Sequence, residues 1–409
     1  MDHLYVNMKR LKNTIDISSQ IGTTSNGGLC RLALSKEDRE MRDTFLEWLK
    51  EEGLVTRVDD FGNIYGRRRG KKKLSPVLIG SHLDTQPRGG RFDGILGVLA
   101  SLEVIRTLND HGIETERPIE IVNFTNEEGA RFEPPLLGSG GLVKVFDRDY
   151  VYQRKDRVGK TFLEELNKIG YQGEESNRIQ DIHSFIELHI EQGPILEHEN
   201  ISIGVVEGIK GMTWLEVQIN GESGHAGPTP MSLRKDALIC ASQLILHAEN
   251  KCKKYDHDLT ITSGRISAIP NVVNSIADQV IFSLDVRHQD NEMRETFIQD
   301  IKTDFYDLAK ESGLNIEMKE IWKVNSTIFN SNIVNLIEYI SEKLGYSFKR
   351  MTSGAGHDAK YISRVAPTGM IFIPSVGGRS HIESELTLDR DIEKGAHVLL
   401  HSVLDLANS

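Results

Sequence analysis

The stretch GSHLDTQPRGGRFDG, residues 80–94, constrains this chain more than any other part of it. It directly follows the apolar run Pro76-Val77-Leu78-Ile79 and sets His82, Asp84 and Asp93 in one short, glycine-punctuated segment. Charged groups at the end of a buried strand must be paired, hydrogen-bonded or bound to metal, because burying them bare is costly. The pattern recurs downstream. Ile119 to Phe124 reads as a β-rich strand delivering Asn126-Glu127-Glu128, and Phe185 to Ile190 as another, carrying His189 ahead of Glu191-Gln192-Gly193-Pro194. Between the opening segment and the paired glutamates, Ile95 to Leu108 reads as a buried helix. Strands alternating with helices predict an α/β fold, whose sites lie off the carboxyl ends of strands.

A chain of 409 residues exceeds one ordinary core, so two domains are expected. The first sixty residues read as two helical segments separated by the glycine-rich loop Ile21 to Gly28. Ser35-x-x-Asp38 predicts a capping box opening a helix through Met41, Phe45, Trp48 and Leu49, which Gly53 ends. Near residue 210 the texture changes: strand Trp214 to Ile219, the string GHAGPTPM, a helix from about Ser232 to Asn250, strands over Leu259 to Ile269 and Gln279 to Arg287, and a helix from Met293 to Ser312. That β-α-β-β-α order suffices for an independent two-layer α+β domain. From about residue 327 the α/β texture returns, with helix Ile333 to Leu344, the string SGAGHDA, strand Gly369 to Pro374 and then His381. The expected organisation is an α/β domain over 1–210 and 327–409, interrupted by a smaller α+β domain over 211–326.

Charge narrows the class. The net charge of −11 argues against nucleic acid or a polybasic membrane surface as partner, and the one basic run, residues 67–73, reads as a solvated loop. Cys30, Cys240 and Cys252 are widely spaced and form no C-x-x-C pair, which suits a reducing compartment. The N-terminal MDHLYVNMKRLKN lacks an apolar leader core and no run of 18 apolar residues occurs, so a cytoplasmic protein is expected.

Two divalent ions held about 3.5–4 Å apart need a bridging oxygen, and a carboxylate has two oxygens to share. Asp93 suits the bridge, with His82 and His189 completing one ion and Glu128 and His381 the other. Each ion keeps open positions, as in catalytic sites. Adjacent residues at a strand end point in different directions, so Glu127 is free to act as general base while Glu128 ligates. Asp84 is placed to accept the other N–H of His82 and orient it. Singly these signals are weak, since most of the 14 histidines must be surface or satisfied ones. Their combination at successive strand ends is what carries weight.

The strings GGLCRLALS, GSHLDTQPRGGRFDGILGV, FTNEEGARF, ELHIEQGPILE, GIKG, GHAGPTPM, FSLDVRH, SGAGHDA and IFIPSVGGRSH run in order from residue 27 to 381. In them the chain resembles the amidohydrolase branch of the aminoacylase/carboxypeptidase metallopeptidase superfamily. That branch contains N-carbamoyl-L-amino-acid hydrolases, β-ureidopropionases and allantoate amidohydrolases. The resemblance implies a di-metal aminopeptidase-like catalytic domain interrupted by a lid and dimerisation domain. It implies His82, Asp93 and His189 on one metal, Asp93, Glu128 and His381 on the other, and Glu127 as the catalytic base. His189 with Gln192, where peptidase relatives use an acid, marks the carbamoylase-like side. His225 matches a lid histidine that stabilises the oxyanion, while Asn274 and Arg287 match residues holding the substrate carboxylate, a task that suits the planar fork of arginine. By spacing alone, Arg287 also reads as a strand-end salt bridge. Gly354-Ala355-Gly356 is either a plain turn or a backbone surface for substrate.

Two departures stand out. Relatives commonly continue the last histidine as His-Asn-Pro-x-Glu, whereas this chain reads His381-Ile382-Glu383-Ser384-Glu385. Asn274-Ser275-Ile276-Ala277-Asp278 stands where relatives have a Pro-Gly turn. The expectation is a two-metal enzyme that hydrolyses the carbamoyl C–N bond of a small N-carbamoyl amino acid, N-carbamoyl-L-amino acid or N-carbamoyl-β-alanine, releasing amino acid, carbon dioxide and ammonia. In this reading Gln192, Asn274 and Arg287 position the substrate. Zinc, manganese, cobalt and nickel all suit nitrogen and oxygen ligands without thiolate. Allantoate amidohydrolase is the nearest alternative, and the Thr85-Gln86-Pro87 spelling leans towards the carbamoyl-amino-acid side. An aminoacylase or dipeptidase, and a non-catalytic metal-dependent binding protein, follow behind. A homodimer through the lid and a small carboxylate substrate are the partners the resemblance implies.

Overall fold

The computed structural model describes residues 4–409; the first three residues, where the expected α/β domain begins, lie outside the described residues. The chain divides into two compact units, 1–207 with 328–409 and 208–327. In chain order the first unit opens with α1 (Met8–Ser18), α2 (Lys36–Glu51), β1 (Val55–Val58), β2 (Ile64–Arg68), β3 (Val77–His82), α3 (Ile95–Asp110) and β4 (Ile119–Phe124). There follow α4 (Leu137–Leu142), α5 (Arg148–Tyr152), α6 (Phe162–Ile169), β5 (Ser184–Ile190), α7 (Ile195–Glu199) and β6 (Ile203–Ile209). The second unit holds β7 (Gly211–Asn220), β8 (Gly224–His225), α8 (Ala237–Tyr255), β9 (Thr260–Thr262), β10 (Ile266–Ile269), β11 (Ser275–Ile276), β12 (Gln279–His288), α9 (Asn291–Glu311) and β13 (Asn315–Val324). The chain then continues with β14 (Thr327–Ile328), α10 (Ser331–Lys343), β15 (Phe348–Ser353), α11 (Ala359–Ile362), β16 (Thr368–Ile373) and α12 (Asp389–Asn408).

One mixed sheet, ordered β1-β2-β4-β3-β5-β16-β6-β14 with β15 beside β6, forms the frame of the first unit. Its centre, β4-β3-β5-β16, is parallel. Every residue of these four strands is buried, which is why they read as near-continuous apolar runs rather than alternating ones. Helix α3 is buried along Ile95 to Leu108, as its apolar sequence requires, and Gly97 lets it lie close against β5. A Cβ there would stand 2.4 Å from the Leu188 carbonyl oxygen. The parallel register aligns His82 with Phe124 and His189 with Phe372, so the carboxyl ends of the central strands share one edge.

The second unit is an antiparallel sheet, β10-β12-β7-β13 with β9 beside β12. β12 alternates without a break between buried and half-buried positions, and its buried face packs with Leu215, Val217 and Ile219 of β7 against Leu244 of α8 and Phe297, Ile301 and Phe305 of α9. Three details differ from the sequence reading. Helix α8 begins at Ala237 rather than near Ser232, because the Asp236 carboxylate accepts from the backbone N–H groups of Leu238 and Ile239 and so caps the first turn. The stretch Leu259 to Ile269 is two strands broken around Gly264. Strand β13 was not anticipated: its alternation is interrupted by a bulge between Glu320 and Trp322.

Near the N-terminus only half of the expected capping box forms. Ser35 Oγ accepts from the Asp38 backbone N–H, but the Asp38 carboxylate turns to the Leu34 N–H (2.7 Å) and to Arg42 Nε (2.8 Å). Arg42 then reaches the Gly62 carbonyl (2.6 Å) and Thr125 Oγ1 (3.1 Å), next to Asn126 and Glu127 at the end of β4. The basic run is a loop only in part: Arg67 and Arg68 are half-buried at the end of β2, where strand pairing places them, and beyond them Lys72 pairs with Glu116 at 2.9 Å. Among the described residues, no helix is long and apolar enough to cross a membrane.

The Asp38–Arg42 pair is 0% and 1% exposed at its side chains, so removing one partner strands the other charge in the interior. Asp38→Asn is expected to destabilise the protein by about 3–5 kcal/mol, read as a lower urea midpoint; an unchanged midpoint would contradict the assignment.

Candidate metal centre and active site

Four central strands deliver the expected residues to one edge of the sheet. His82 is the last residue of β3, Glu127 and Glu128 follow β4, His189 is the penultimate residue of β5, and His381 follows β16. Gly94 starts α3 with φ +68, and a Cβ there would fall 2.1 Å from His82 Nε2. Glycine is thus required both for the left-handed turn and for the space the imidazole occupies.

Asp93 is the pivot. One oxygen, Oδ1, lies 3.2 Å from His189 Nε2, and the other, Oδ2, lies 3.2 Å from His381 Nε2. His381 Nε2 is also 3.5 Å from Glu128 Oε2. The donor atoms of His82, Asp93 and His189 lie within 4.8 Å of one another, and so do those of Asp93, Glu128 and His381. The five expected ligands therefore fall into two groups of three that share Asp93. Glu127 stands beside the first group, its Oε2 3.5 Å from His82 Nε2.

Backbone carbonyls orient the two buried imidazoles. His82 Nδ1 meets the Asp84 carbonyl at 2.9 Å and His189 Nδ1 meets the Ile190 carbonyl at 2.8 Å, which turns both Nε2 atoms inward. Here the sequence reading needs correcting. It is the Asp84 main chain that holds His82; the carboxylate is 3.9 Å away and instead accepts from the backbone N–H groups of Glu127 and Glu128, each at 3.3 Å. Asp84 thereby ties the ends of β3 and β4 together.

The electrostatics call for cations. Burial, followed by the charges of Asp358, Glu128, Asp93 and Asp84, pushes the Glu127 carboxyl well above its usual range. Burial and Asp93 raise Glu128 to about 8, and the same two causes raise Glu385 to about 7. Burial opposes the Asp93 carboxylate, yet hydrogen bonds from His189 and His381 hold it well below the ordinary value. Burial lowers His82 to about 4, while His381, through its Asp93 hydrogen bond, rises to about 9. Nitrogen and oxygen donors, no thiolate, and crowded buried carboxylates make a donor set that fits divalent cations. Protons and cations compete for these atoms, so acid weakens metal binding.

The structure adds residues that the sequence reading did not assign. Glu385 accepts from the backbone N–H groups of Phe92 and Asp93, both at 3.1 Å, and from Ser380 Oγ at 2.8 Å, so it holds the Asp93 turn. Glu187, two residues before His189 on the same face of β5, takes bonds from Ser81 Oγ (2.6 Å) and the Ala359 N–H (3.0 Å). His357 packs edge-on against His189 with ring centroids 4.4 Å apart and meets Ser353 Oγ at 2.9 Å. Glu187, His189 and His357 also cluster closely enough for an ion, but these commitments read as support for His189. The period-2 spacing of Glu187 and His189 was the available signal. Glu383, one of the departures, bonds Thr24 Oγ1 (2.5 Å) and Asn26 Nδ2 (2.8 Å), joining the glycine-rich loop to the His381 loop.

Gln192 donates from Nε2 to Asp93 Oδ2 at 2.9 Å, and its Oε1 is buried without a hydrogen-bond partner. Gly354 and Gly356 carry no steric need for glycine within the chain, since an added Cβ meets nothing nearer than 3.9 Å. The Ala355 N–H bonds Ser353 Oγ at 3.1 Å. In the second unit, His225 and Asn274 come together: His225 pairs with Ser275 in the β8–β11 ribbon, and the Ala226 N–H bonds the Asn274 carbonyl at 2.9 Å. Arg287 is on β12 of the same unit. It lies eight residues along β12 from Gln279, roughly 26 Å at strand rise, and pairs with Asp285 at 2.6 Å.

Comparison with known proteins places these features. A family model for Peptidase family M20/M25/M40 matches residues 78–405. The chain is 40% identical over 403 residues to an N-carbamoyl-L-amino-acid amidohydrolase of Rhizobium meliloti, covering 98% of this chain and 97% of that protein. It is 34% identical over 397 residues to an allantoate amidohydrolase of Bacillus subtilis (strain 168), covering 96% of each. The crystal structure of an amidase of the hydantoinase/carbamoylase family from Burkholderia multivorans matches with a TM-score of 0.97 at 43% identity, covering 99% of both chains.

Sharing of Asp93 makes a stoichiometric expectation. After reconstitution with zinc, elemental analysis should find two ions in the unaltered protein, one in Glu128→Gln and none in Asp93→Asn. Two ions retained in Asp93→Asn would rule out the bridge.

Proposed function

The chain belongs to peptidase family M20/M25/M40, a family of metal-dependent hydrolases, and within it we propose an amidohydrolase that cleaves the carbamoyl C–N bond of small N-carbamoyl amino acids. The observation that carries this reading is the buried Glu127 beside two ligand groups that share one carboxylate. His82, Asp93 and His189 would hold one divalent ion and Asp93, Glu128 and His381 a second. Such ions supply Lewis-acid polarisation of a carbonyl and acidify an attacking water.

Glu127 takes a proton from that water as its oxygen bonds to the ureido carbon. The same carboxyl then gives the proton to the leaving amino-acid nitrogen as the C–N bond breaks. The carbamate so released decomposes to carbon dioxide and ammonia. Gln192 positions the substrate: its unpartnered Oε1 is an acceptor suited to a ureido N–H. Arg287 and Asn274 receive the substrate carboxylate, and His225 stabilises the developing oxyanion. Allantoate carries the same ureido group, and the relatives at 34% identity include enzymes of that name, so it stands as the second reading.

Ammonia release from N-carbamoyl-L-amino acids, N-carbamoyl-β-alanine and allantoate, assayed side by side, tests the substrate. The N-carbamoyl amino acids should be turned over fastest, and Glu127→Gln should lose about 10²–10⁴-fold in kcat at unchanged metal content. Near-normal turnover by that variant would remove Glu127 as the base.

Arg287 lies on β12 and His225 in the separate β8–β11 ribbon, and we propose that different copies of the chain in a homodimer supply the two to one substrate. Mixing inactive Arg287→Ala with inactive His225→Ala and allowing subunits to exchange should then restore about a quarter of the unmixed activity, because mixed two-fold dimers retain one intact site. No restoration after exchange would contradict shared sites.

A further inference from the structure

Gln86 touches the metal centre in a way that its spelling alone does not reveal. Two of its donors close on one carboxylate: the backbone N–H meets Glu128 Oε1 at 3.1 Å and the side-chain amide Nε2 meets Glu128 Oε2 at 2.7 Å. Oε2 is also the oxygen facing His381 Nε2 at 3.5 Å. Beneath it, the Asp84 carboxylate holds the Glu128 backbone N–H at 3.3 Å. Glu128 is therefore fixed at its peptide and at both of its oxygens.

The loop that carries Gln86 is braced. The Thr85 backbone N–H bonds the Arg31 carbonyl and Thr85 Oγ1 accepts from the Arg31 N–H, both at 2.9 Å. Gly89 and Leu29 exchange two backbone bonds, also at 2.9 Å. An amide on a braced loop can hold a carboxylate in one rotamer, as partners behind metal ligands commonly do.

The two ligand groups differ in how they are held. His82 and His189 are aimed by main-chain carbonyls, which no substitution removes. Glu128 is aimed in part by a side chain, which a substitution does remove. We propose that Gln86 is the positioning residue of the Asp93–Glu128–His381 cation position, presenting Glu128 Oε2 towards His381 and setting the affinity of that position separately from the other. This inference rests on the two-ion reading of the site.

The test is calorimetric titration of the metal-free, full-length protein with zinc. The unaltered protein should show two binding steps; a single step would sink the two-ion reading itself. Gln86→Leu keeps the backbone donor and removes the amide. It should weaken one step by about 10–100-fold and leave the other as it was. Gln86→Glu, which sets a like charge against Glu128, should weaken the same step further. Two unchanged steps in Gln86→Leu, or equal weakening of both, would overturn the positioning role. Unfolding temperatures of the metal-free variants should match that of the unaltered protein, since Gln86 is only half-buried.

Discussion

The structure depends on keeping several carboxylates together, out of water, at one edge of a parallel sheet. Asp84, Asp93, Glu127 and Glu385 are all buried, and burial together with mutual repulsion works against their charges. What resists that repulsion is a set of fixed donors: backbone N–H groups on Asp84 and Glu385, imidazoles on Asp93, and amides on Asp93 and Glu128. Interiors tolerate charge only on such terms. The frame beneath, fully buried parallel strands with apolar helix α3 closing one face, serves to hold those donors still.

Strain accompanies the same arrangement. Asn126, Gln192 and His381 all have positive φ, which non-glycine residues adopt at a cost of about 1–3 kcal/mol each. Each lies in or beside the ligand set. The Asn126 side chain bonds the Phe132 carbonyl at 2.8 Å, and Arg42 anchors the neighbouring Thr125, so the bend that leads from β4 into Glu127 and Glu128 is held by contacts outside the ligand set. His381 differs from the other imidazoles in being half-exposed at 51%, and Glu383 ties its loop to Thr24 and Asn26.

Much of this was legible because the chemistry breaks a rule of composition. His82, Asp93, Glu127, Glu128 and His189 stand out where a buried strand ends in groups that burial disfavours, and strand ends of a parallel sheet share an edge. Gln86, Glu187, Glu385 and His357 were not legible in the same way. A glutamine or glutamate that holds a ligand has no spacing of its own; its role exists only once distant segments meet, as Gln86 and Glu128 do. Asp84 shows the limit from the other side, since its proximity to His82 was read correctly but the atom that makes the bond was not. In the second unit, β13 was hidden because its bulge disturbs the alternation by which exposed strands are recognised.

The order in which the sheet is assembled along the chain has its own consequence. Strand β16 lies between β5 and β6, yet it is made from residues 368–373, after the whole of the second unit. During synthesis, β5 therefore waits with one edge unpaired, the kind of surface that invites mispairing. His381 emerges later still. A nascent chain therefore holds His82, Asp93 and His189 before the second unit is made, but gains the last member of the Asp93–Glu128–His381 group only after it.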